Sequence, residues 1–309
     1  MNTMKKLIRN WRLITGLFII MGFVLCGIYG YTVNYLQLNN LANRSLPPDN
    51  TLLRYILAVQ TNTENVRGCG FLGTDNGGRD VLSILLGGAL TSLLLLSISV
   101  TIALVVGIFF SIIPQLVVRK VRHSILNPII KIIISKIVNF LAYFIIAIPE
   151  SYPFILPILI FASLSRFNLL VEGVVLGYLF SIQIYHLINL KISLFEKTEH
   201  YMAAKEIGLS DATIMFKHIL WYYSRNDIIL RSLKIAVYSI VIEATLSYLF
   251  VSASTEYSSL GKLVFQGGSV SNIYHGIYWQ VVPPAVMILV VILGFNLLSD
   301  WFFIKFNSK

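Results

Sequence analysis

Few residues in this sequence have the types and spacing that chemistry requires. Two acidic side chains, Glu150 and Glu243, stand inside apolar stretches, where a buried carboxylate is costly and could meet a cationic group of a ligand. The alternatives are a wet or protonated carboxyl at a helix end for Glu150 and an internal hydrogen bond for Glu243. The histidines are scattered without metal-ligand spacing, and the two cysteines, Cys26 and Cys69, are too few for a disulfide framework.

The sequence also lacks the common enzymatic motifs. It contains no G-x-x-x-x-G-K-[ST] loop for phosphate, no G-x-S-x-G nucleophile turn and no H-E-x-x-H pair. We therefore expect no catalytic residue, no metal site, no cofactor and no ATP hydrolysis in this chain, and we predict that it is not an enzyme.

The amino-acid composition indicates the class of protein. Of its 309 residues, 56% are hydrophobic and 12% are charged, with a mean hydropathy of +0.77. A soluble domain has about 25% charged residues, so an ordinary soluble enzyme and a disordered chain are both excluded. The composition predicts an all-α, polytopic membrane protein.

Apolar runs of about 20 residues predict six membrane-spanning helices. The second run is longer than one span needs, so we expect its first turns at the membrane surface. A cleaved signal peptide is the alternative for the first run, but that run is longer than the usual apolar core of such a peptide. The predicted spans are residues 13–36, 81–118, 137–163, 173–190, 228–250 and 281–303.

The basic residues predict the orientation. With the N-terminus inside, 18 of the 24 Lys and Arg residues lie in inner segments. Because basic residues concentrate on the cytoplasmic side, both termini are predicted to be cytoplasmic. The net charge of +10 then reflects topology and attraction to anionic lipid, and it requires no nucleic-acid partner.

The predicted inner segment at residues 191–227 is the most charged stretch. Residues 199–207 favour a helix, and Gly208 stands where a helix would end in a left-handed conformation. Ser210 or Asp211 can cap a second helix that continues towards the fifth span. Two short helices with a glycine corner would form a rigid knob; the alternative is a surface helix with nothing docked on it.

This inner segment contains Ala203-Ala204, then Gly208, then Ile219-Leu220. The pattern resembles the EAA loop of ATP-binding-cassette importer permeases, and we call residues 191–227 the coupling loop after that resemblance. It departs from the family pattern at Met202, where the motif has Glu, and at Trp221, where Pro is common. In that family the loop is a helix that sits in a cleft of the cytoplasmic ATPase.

A second motif resembles one subfamily more specifically. Residues 73–83, here called the outer turn, match G-T-D-x-x-G-R-D-x-x-S of the second permease subunit of dipeptide, oligopeptide and nickel importers. Residues 243–249 resemble its E-A-S-L-S-F-L segment, and residues 259–263 are a weaker match to S-W-G-x-x-L. From the residues alone, the outer turn is a tight charge-paired turn that anchors a span. Its matched residues are Gly73, Thr74, Asp75, Gly78, Arg79 and Asp80.

The resemblance implies a type I importer permease in the bacterial cell membrane. Residues 1–80 would form the N-terminal tail, first span and extracytoplasmic segment, and residues 81–309 a five-helix permease core. The implied partners are a second permease, two cytoplasmic ATPases that bind ATP and Mg, and an extracytoplasmic binding protein. Peptides are the leading substrate class, with nickel or a metal–chelator complex as the alternative. A stand-alone secondary transporter would need an ion path or an inverted repeat, and the sequence has only isolated acids and no repeat.

Overall fold

The chain folds as an all-α polytopic membrane protein, and no β-strand occurs in the part described. The computed structural model describes residues 2–35, 72–75, 80–122, 127–147, 156–157, 169–248 and 259–307. Glu150, Gly78 and Arg79, which the sequence singled out, lie outside these residues.

The described helices follow the order of the apolar runs, with short helices between them. An 11-residue π-helical stretch, Ile214–Ser224, and a 3-10 turn, Tyr278–Gln280, interrupt the α-helices. The α-helices are α1 Asn2–Tyr35, α2 Val81–Arg122, α3 Pro128–Ala147, α4 Leu169–Phe195, α5 Glu199–Glu206, α6 Asp211–Thr213, α7 Arg225–Tyr248, α8 Leu260–Gly267, α9 Val270–Tyr274 and α10 Val282–Asn307.

Five described stretches are long and apolar enough to cross a membrane. They coincide with α1, α2, α3, α4 and α10. The predicted fifth span at 228–250 forms most of α7. Helix α7 is not one of the five stretches, because it contains several charged residues: Asp227, Arg231, Lys234 and Glu243. The six-span arrangement therefore stays a prediction.

One predicted boundary was wrong. The third helix begins at Pro128, nine residues before the predicted start, and takes Lys131 and Lys136 into its first half. Proline suits the first turn of a helix, where its missing N–H costs nothing, and long basic side chains can reach water from a helix end. Helix α2 runs unbroken for 42 residues, or about 63 Å at 1.5 Å per residue, roughly twice the thickness of the hydrocarbon core. Its first residue, Val81, is buried against the rest of the chain. The expectation that the first turns lie at the membrane surface stays a prediction.

Small residues let α2 and α4 approach each other closely. A Cβ atom on Gly107 would lie 2.6 Å from the Cβ of Ile184, and one on Gly177 would lie 2.6 Å from the Cβ of Ile102. Such stripes are typical of membrane helices, whose association depends on close backbone packing. The stripes have four-residue spacing: Ser99, Ala103 and Gly107 on α2, and Gly173, Gly177 and Ser181 on α4.

Helices α1 and α10 pack together and run in opposite directions. The Arg12 guanidinium near the start of α1 lies 3.8 Å from the Asp300 carboxylate near the end of α10. Large apolar side chains cover their outer faces; Phe18, for example, is 75% exposed. An apolar surface of this extent needs lipid or a protein partner.

Candidate functional site

Helix α5 is the centre of the predicted coupling loop. Glu199 lies in its first turn and Lys205 in its last turn, which places each charge where the helix dipole favours it. Residue Thr198 precedes the helix in an extended conformation, and its hydroxyl donates to the Phe195 carbonyl at 2.7 Å. A short turn therefore redirects the chain at the end of α4.

Gly208 forms the corner after α5, as its position predicts. Its φ is +83°, the left-handed region that glycine adopts without strain. The Gly208 N–H donates to the Lys205 carbonyl at 3.0 Å, and the Leu209 N–H donates to the Ala204 carbonyl at 3.1 Å. This pair of bonds satisfies carbonyls at the helix end in a Schellman motif. The Ser210 hydroxyl then caps the next helix by accepting from the Thr213 N–H at 3.2 Å.

The five residues predicted for ATPase coupling fall into two groups. Ala204 and Ile219 are buried in one hydrophobic core with Phe195, and Leu220 packs against that core. Ala203 and Gly208 lie at the surface. The first group therefore attaches the coupling loop to the helix bundle, while the second remains available to another protein.

An apolar surface surrounds Ala203 and Gly208. Met202 is 59% exposed and Ile207 is 79% exposed. Beside them lies a cavity of about 340 Å³, lined in part by Ala203, Ile207 and Tyr222. Nothing within 4 Å opposes a Cβ on Gly208, so only its backbone conformation constrains that position within this chain.

A charged network joins the coupling loop to α2. The Arg119 guanidinium in the last turn of α2 donates to the Asp211 carboxylate at 3.2 Å and to the Tyr201 hydroxyl at 3.1 Å. It also forms an ion pair with Glu196, in the turn after α4. Lys205 Nζ lies 2.5 Å from the same Asp211 oxygen.

These neighbours change the pKa of the Asp211 carboxyl. Partial burial alone would raise the pKa of its carboxyl, but hydrogen bonds from Lys205 and Arg119, together with their positive charges, lower the pKa below its ordinary value. Asp211 is therefore ionised at neutral pH, and its attraction to both cations weakens only in acid as the pH falls through this lowered pKa.

The outer turn lies at the opposite end of α2 and caps that helix. The Asp80 carboxylate accepts from the Ser83 N–H at 2.7 Å, and the Asp80 carbonyl accepts from the Ser83 hydroxyl at 2.9 Å. Gly73 has a φ of +79°, and its carbonyl accepts from the Val81 N–H at 3.0 Å. The turn is closed by a backbone bridge between Thr74 and Asp80, both fully buried.

The outer turn is also fastened to the segment before α10. The Thr74 carbonyl accepts from the Trp279 indole at 3.2 Å and from the Gln280 amide at 3.1 Å. The Gln280 side-chain oxygen accepts from the Asn272 amide at 2.9 Å. Asp75 lines an adjacent cavity of about 360 Å³. The signature residues therefore build a scaffold, and the position of Arg79 in it stays a prediction.

Glu243 makes hydrogen bonds within the bundle. Its side chain is 1% exposed, and its Oε1 accepts from the Ser247 hydroxyl at 3.2 Å. Ser259 and the Gly261 N–H also hydrogen-bond this carboxylate. A Cβ on Gly261 would lie 2.6 Å from the Ala244 Cα, so glycine lets α8 cross α7 closely. The motifs at residues 243–249 and 259–263 thus meet in space. A role for Glu243 or Glu150 in a pathway stays a prediction.

A polar cavity of about 300 Å³ lies between α2, α3 and α4. Amide side chains line it from each helix: Gln115, Asn139 and Asn189. Glu196, the partner of Arg119, also lines it. Among the described residues, no three His, Cys, Asp or Glu side chains come together as metal ligands.

Arg119 and Trp279 are the residues that sequence reasoning missed. No short motif contains either of them, because their partners lie 77 to 92 residues away for Arg119 and 205 residues away for Trp279. In the sequence, Arg119 is one of several basic residues that follow the second apolar run.

Comparison with known proteins gives a partial match. Over 104 residues the chain is 31% identical to proteins of Brucella suis, Brucella abortus and Brucella melitensis that carry the name of a peptide transport system permease protein. The match covers 34% of this chain and spans about a third, 34%, of the length of those relatives. No family model matches the chain.

Proposed function

We propose that this chain is a membrane-spanning permease subunit of an ATP-driven peptide importer. The name of the Brucella relatives supports peptide transport, and the motifs of the coupling loop and outer turn support the ATP-binding-cassette class. In this proposal a second, related permease completes the path, two cytoplasmic ATPases hydrolyse ATP, and an extracytoplasmic binding protein delivers the substrate.

The observation that carries the proposal is the construction of the coupling loop. Its surface presents Ala203 and Gly208, which have little or no side chain, while Ala204 and Ile219 fix it to the core of the bundle. Small surface residues allow a groove of another protein to approach the backbone, and a rigid attachment transmits a push to the membrane helices. The exposed Met202 and Ile207 add apolar area beside these small residues, which a protein partner would cover.

The mechanism follows from this attachment. ATP binding closes the two ATPases, and the closed pair binds the coupling loop in a different position from the open pair. Nucleotide can shift the permease between conformations only through such differential contacts. In the nucleotide-bound state the path would open to the outside and accept substrate from the binding protein; hydrolysis would return it to the inside.

The polar cavity between α2, α3 and α4 is a candidate stretch of the path. Its amide side chains, Gln115, Asn139 and Asn189, can donate and accept hydrogen bonds, as the main chain of a peptide does. Lining of this kind would suit peptides of varied sequence. Nickel or a metal–chelator complex remains the alternative substrate, and comparative uptake of tri-alanine and nickel separates the two.

Cross-linking from the loop tests the ATPase contact. Ala203→Cys, in a chain whose Cys26 and Cys69 are replaced, should cross-link through a short thiol reagent to the ATPase subunit in membranes. The matched control is Tyr274→Cys, which is exposed on α9, a helix linked to the outer turn at the opposite end of α2. Equal ATPase adducts from both positions, or none from position 203, would contradict the proposal.

A further inference from the structure

We infer that Arg119 is a positioning residue that transmits movement of α5 to α2. The inference rests on the proposed function, because it names the connection through which the ATPases would act on the membrane helices. Arg119 lies on α2 and is not part of the sequence motifs of the coupling loop.

Burial sets Arg119 apart from its neighbours. The residue is 8% exposed, whereas Lys120 and Arg122 in the same turn are exposed. Arginine is almost never buried without partners, so its surroundings must neutralise and hydrogen-bond it. A basic residue that served only the positive-inside bias would lie in water like the other two.

The guanidinium brings three separate stretches of chain to one point. It contacts Glu196 after α4, Tyr201 on α5 and Asp211 at the start of α6. Its planar group presents several fixed N–H donors, which suits simultaneous bonds in different directions better than the single ammonium of lysine. The Tyr201 ring adds a cation–π contact, with 5.7 Å between the Arg119 Cζ and the ring centroid.

Both ends of α5 reach this point. Tyr201 lies in its first turn and contacts Arg119 directly, and Lys205 in its last turn reaches it through the shared Asp211 carboxylate. Of the residues in α5, only Ala204 is buried, and Tyr201 packs against the same hydrophobic core. The hydrogen bonds of Arg119 with Tyr201 and Asp211, and of Asp211 with Lys205, therefore connect this short helix to α2.

The network also touches the candidate path. Glu196 lines the polar cavity between α2, α3 and α4, and Arg119 binds its carboxylate. A displacement of α5 that moved Tyr201 and Asp211 would therefore shift the Arg119 guanidinium. That shift would move α2 and the Glu196 side chain at one end of the cavity. The surface formed by Met202, Ala203 and Ile207 is not part of the network. Loss of the network should therefore leave ATPase binding intact.

The test compares Arg119→Gln with Arg122→Gln, which removes the same charge from the same turn at an exposed position. The complete complex, with its ATPases, second permease and binding protein, is reconstituted in proteoliposomes, and tri-alanine uptake is measured per ATP hydrolysed. Arg119→Gln should lower this ratio about tenfold, since residues in such networks change coupling by factors of about 2 to 30. Arg119→Lys should restore part of it, and Arg122→Gln should leave it unchanged.

Each outcome has one meaning. An equal ratio in Arg119→Gln and Arg122→Gln would overturn the inference while leaving the proposed function standing. A wild-type complex without ATPase subunits or ATP-dependent uptake would overturn the proposed function, and the inference with it. If Arg119→Gln does not accumulate, Tyr201→Phe replaces it, because that change removes one hydroxyl and keeps the ring. A ratio as high as that of the wild type would then overturn the inference.

Discussion

The indole N–H of Trp279 donates a hydrogen bond of 3.2 Å to the carbonyl oxygen of Thr74, which lies 205 residues earlier in the chain. This bond ties the outer turn before α2 to the segment before α10. The Gln280 amide shares the same acceptor at 3.1 Å. Two helices that are distant in sequence are thereby held at one end of the bundle.

Trp279→Phe should destabilise this end of the protein. The change removes the indole donor and some contact area, and the lost hydrogen bond alone is worth about 1 kcal/mol. We expect a lower thermal unfolding midpoint in detergent, by about 2 °C or more. Tyr278→Phe is the control, since Tyr278 is exposed. Equal midpoints in the two variants would show that the bond does not stabilise the fold.

Gly208→Leu should abolish transport while the protein still inserts in the membrane. A β-carbon in the left-handed conformation costs about 1–2 kcal/mol, and the leucine side chain would also obstruct a docked ATPase. Asn adopts this conformation more readily, so Gly208→Asn should retain more uptake. Uptake per amount of membrane protein, measured by quantitative blotting, checks both variants. Normal uptake by Gly208→Leu would exclude this corner as the coupling element.

Gly177→Val should disrupt the packing of α2 against α4. Its Cβ would lie 2.6 Å from the Cβ of Ile102 and 2.7 Å from the Ser99 carbonyl oxygen, so the helices must separate. Overpacking of this kind costs about 1–3 kcal/mol. Gly22→Val is the matched control, because no atom lies within 4 Å of its added Cβ. We expect reduced accumulation of monodisperse protein for position 177 only; equal yields would contradict the close approach.

Both termini are predicted to be cytoplasmic. Single cysteines at Asn2 and Ser308, on a background without Cys26 and Cys69, should resist an impermeant thiol reagent in intact cells and react after permeabilisation. The expectation follows from the basic residues concentrated in the predicted inner segments. Labelling of either cysteine from outside would overturn the orientation.

The features that could be predicted from sequence are those with local causes. The Gly208 corner and the Ser210 cap depend on backbone conformation and on bonds within a few residues, so the residue types alone indicate them. The start of α3 also has a local signal, Pro128, but Lys131 and Lys136 follow it in the stretch between the second and third predicted spans, and charged residues are not expected in a span.

The remaining features depend on contacts between distant segments. Arg119 has an ordinary sequence context, and only the fold brings Glu196 and Asp211 to it. The small residues of α2 and α4 repeat every fourth position, a pattern that could have been recognised, yet periodicity does not say which two helices meet. Glu243 stood out as an acid in a predicted span, whereas its partner Ser259 comes from another helix end.

The most direct test of the central claim is the energy source of transport. The tagged chain is purified from membranes together with the products of neighbouring genes, reconstituted, and assayed for ATP hydrolysis and tri-alanine uptake with and without the binding protein. The account predicts that separate ATPase subunits co-purify, that the loaded binding protein stimulates their hydrolysis, and that uptake requires ATP. Uptake by the chain alone, driven by an ion gradient without ATP, would contradict it.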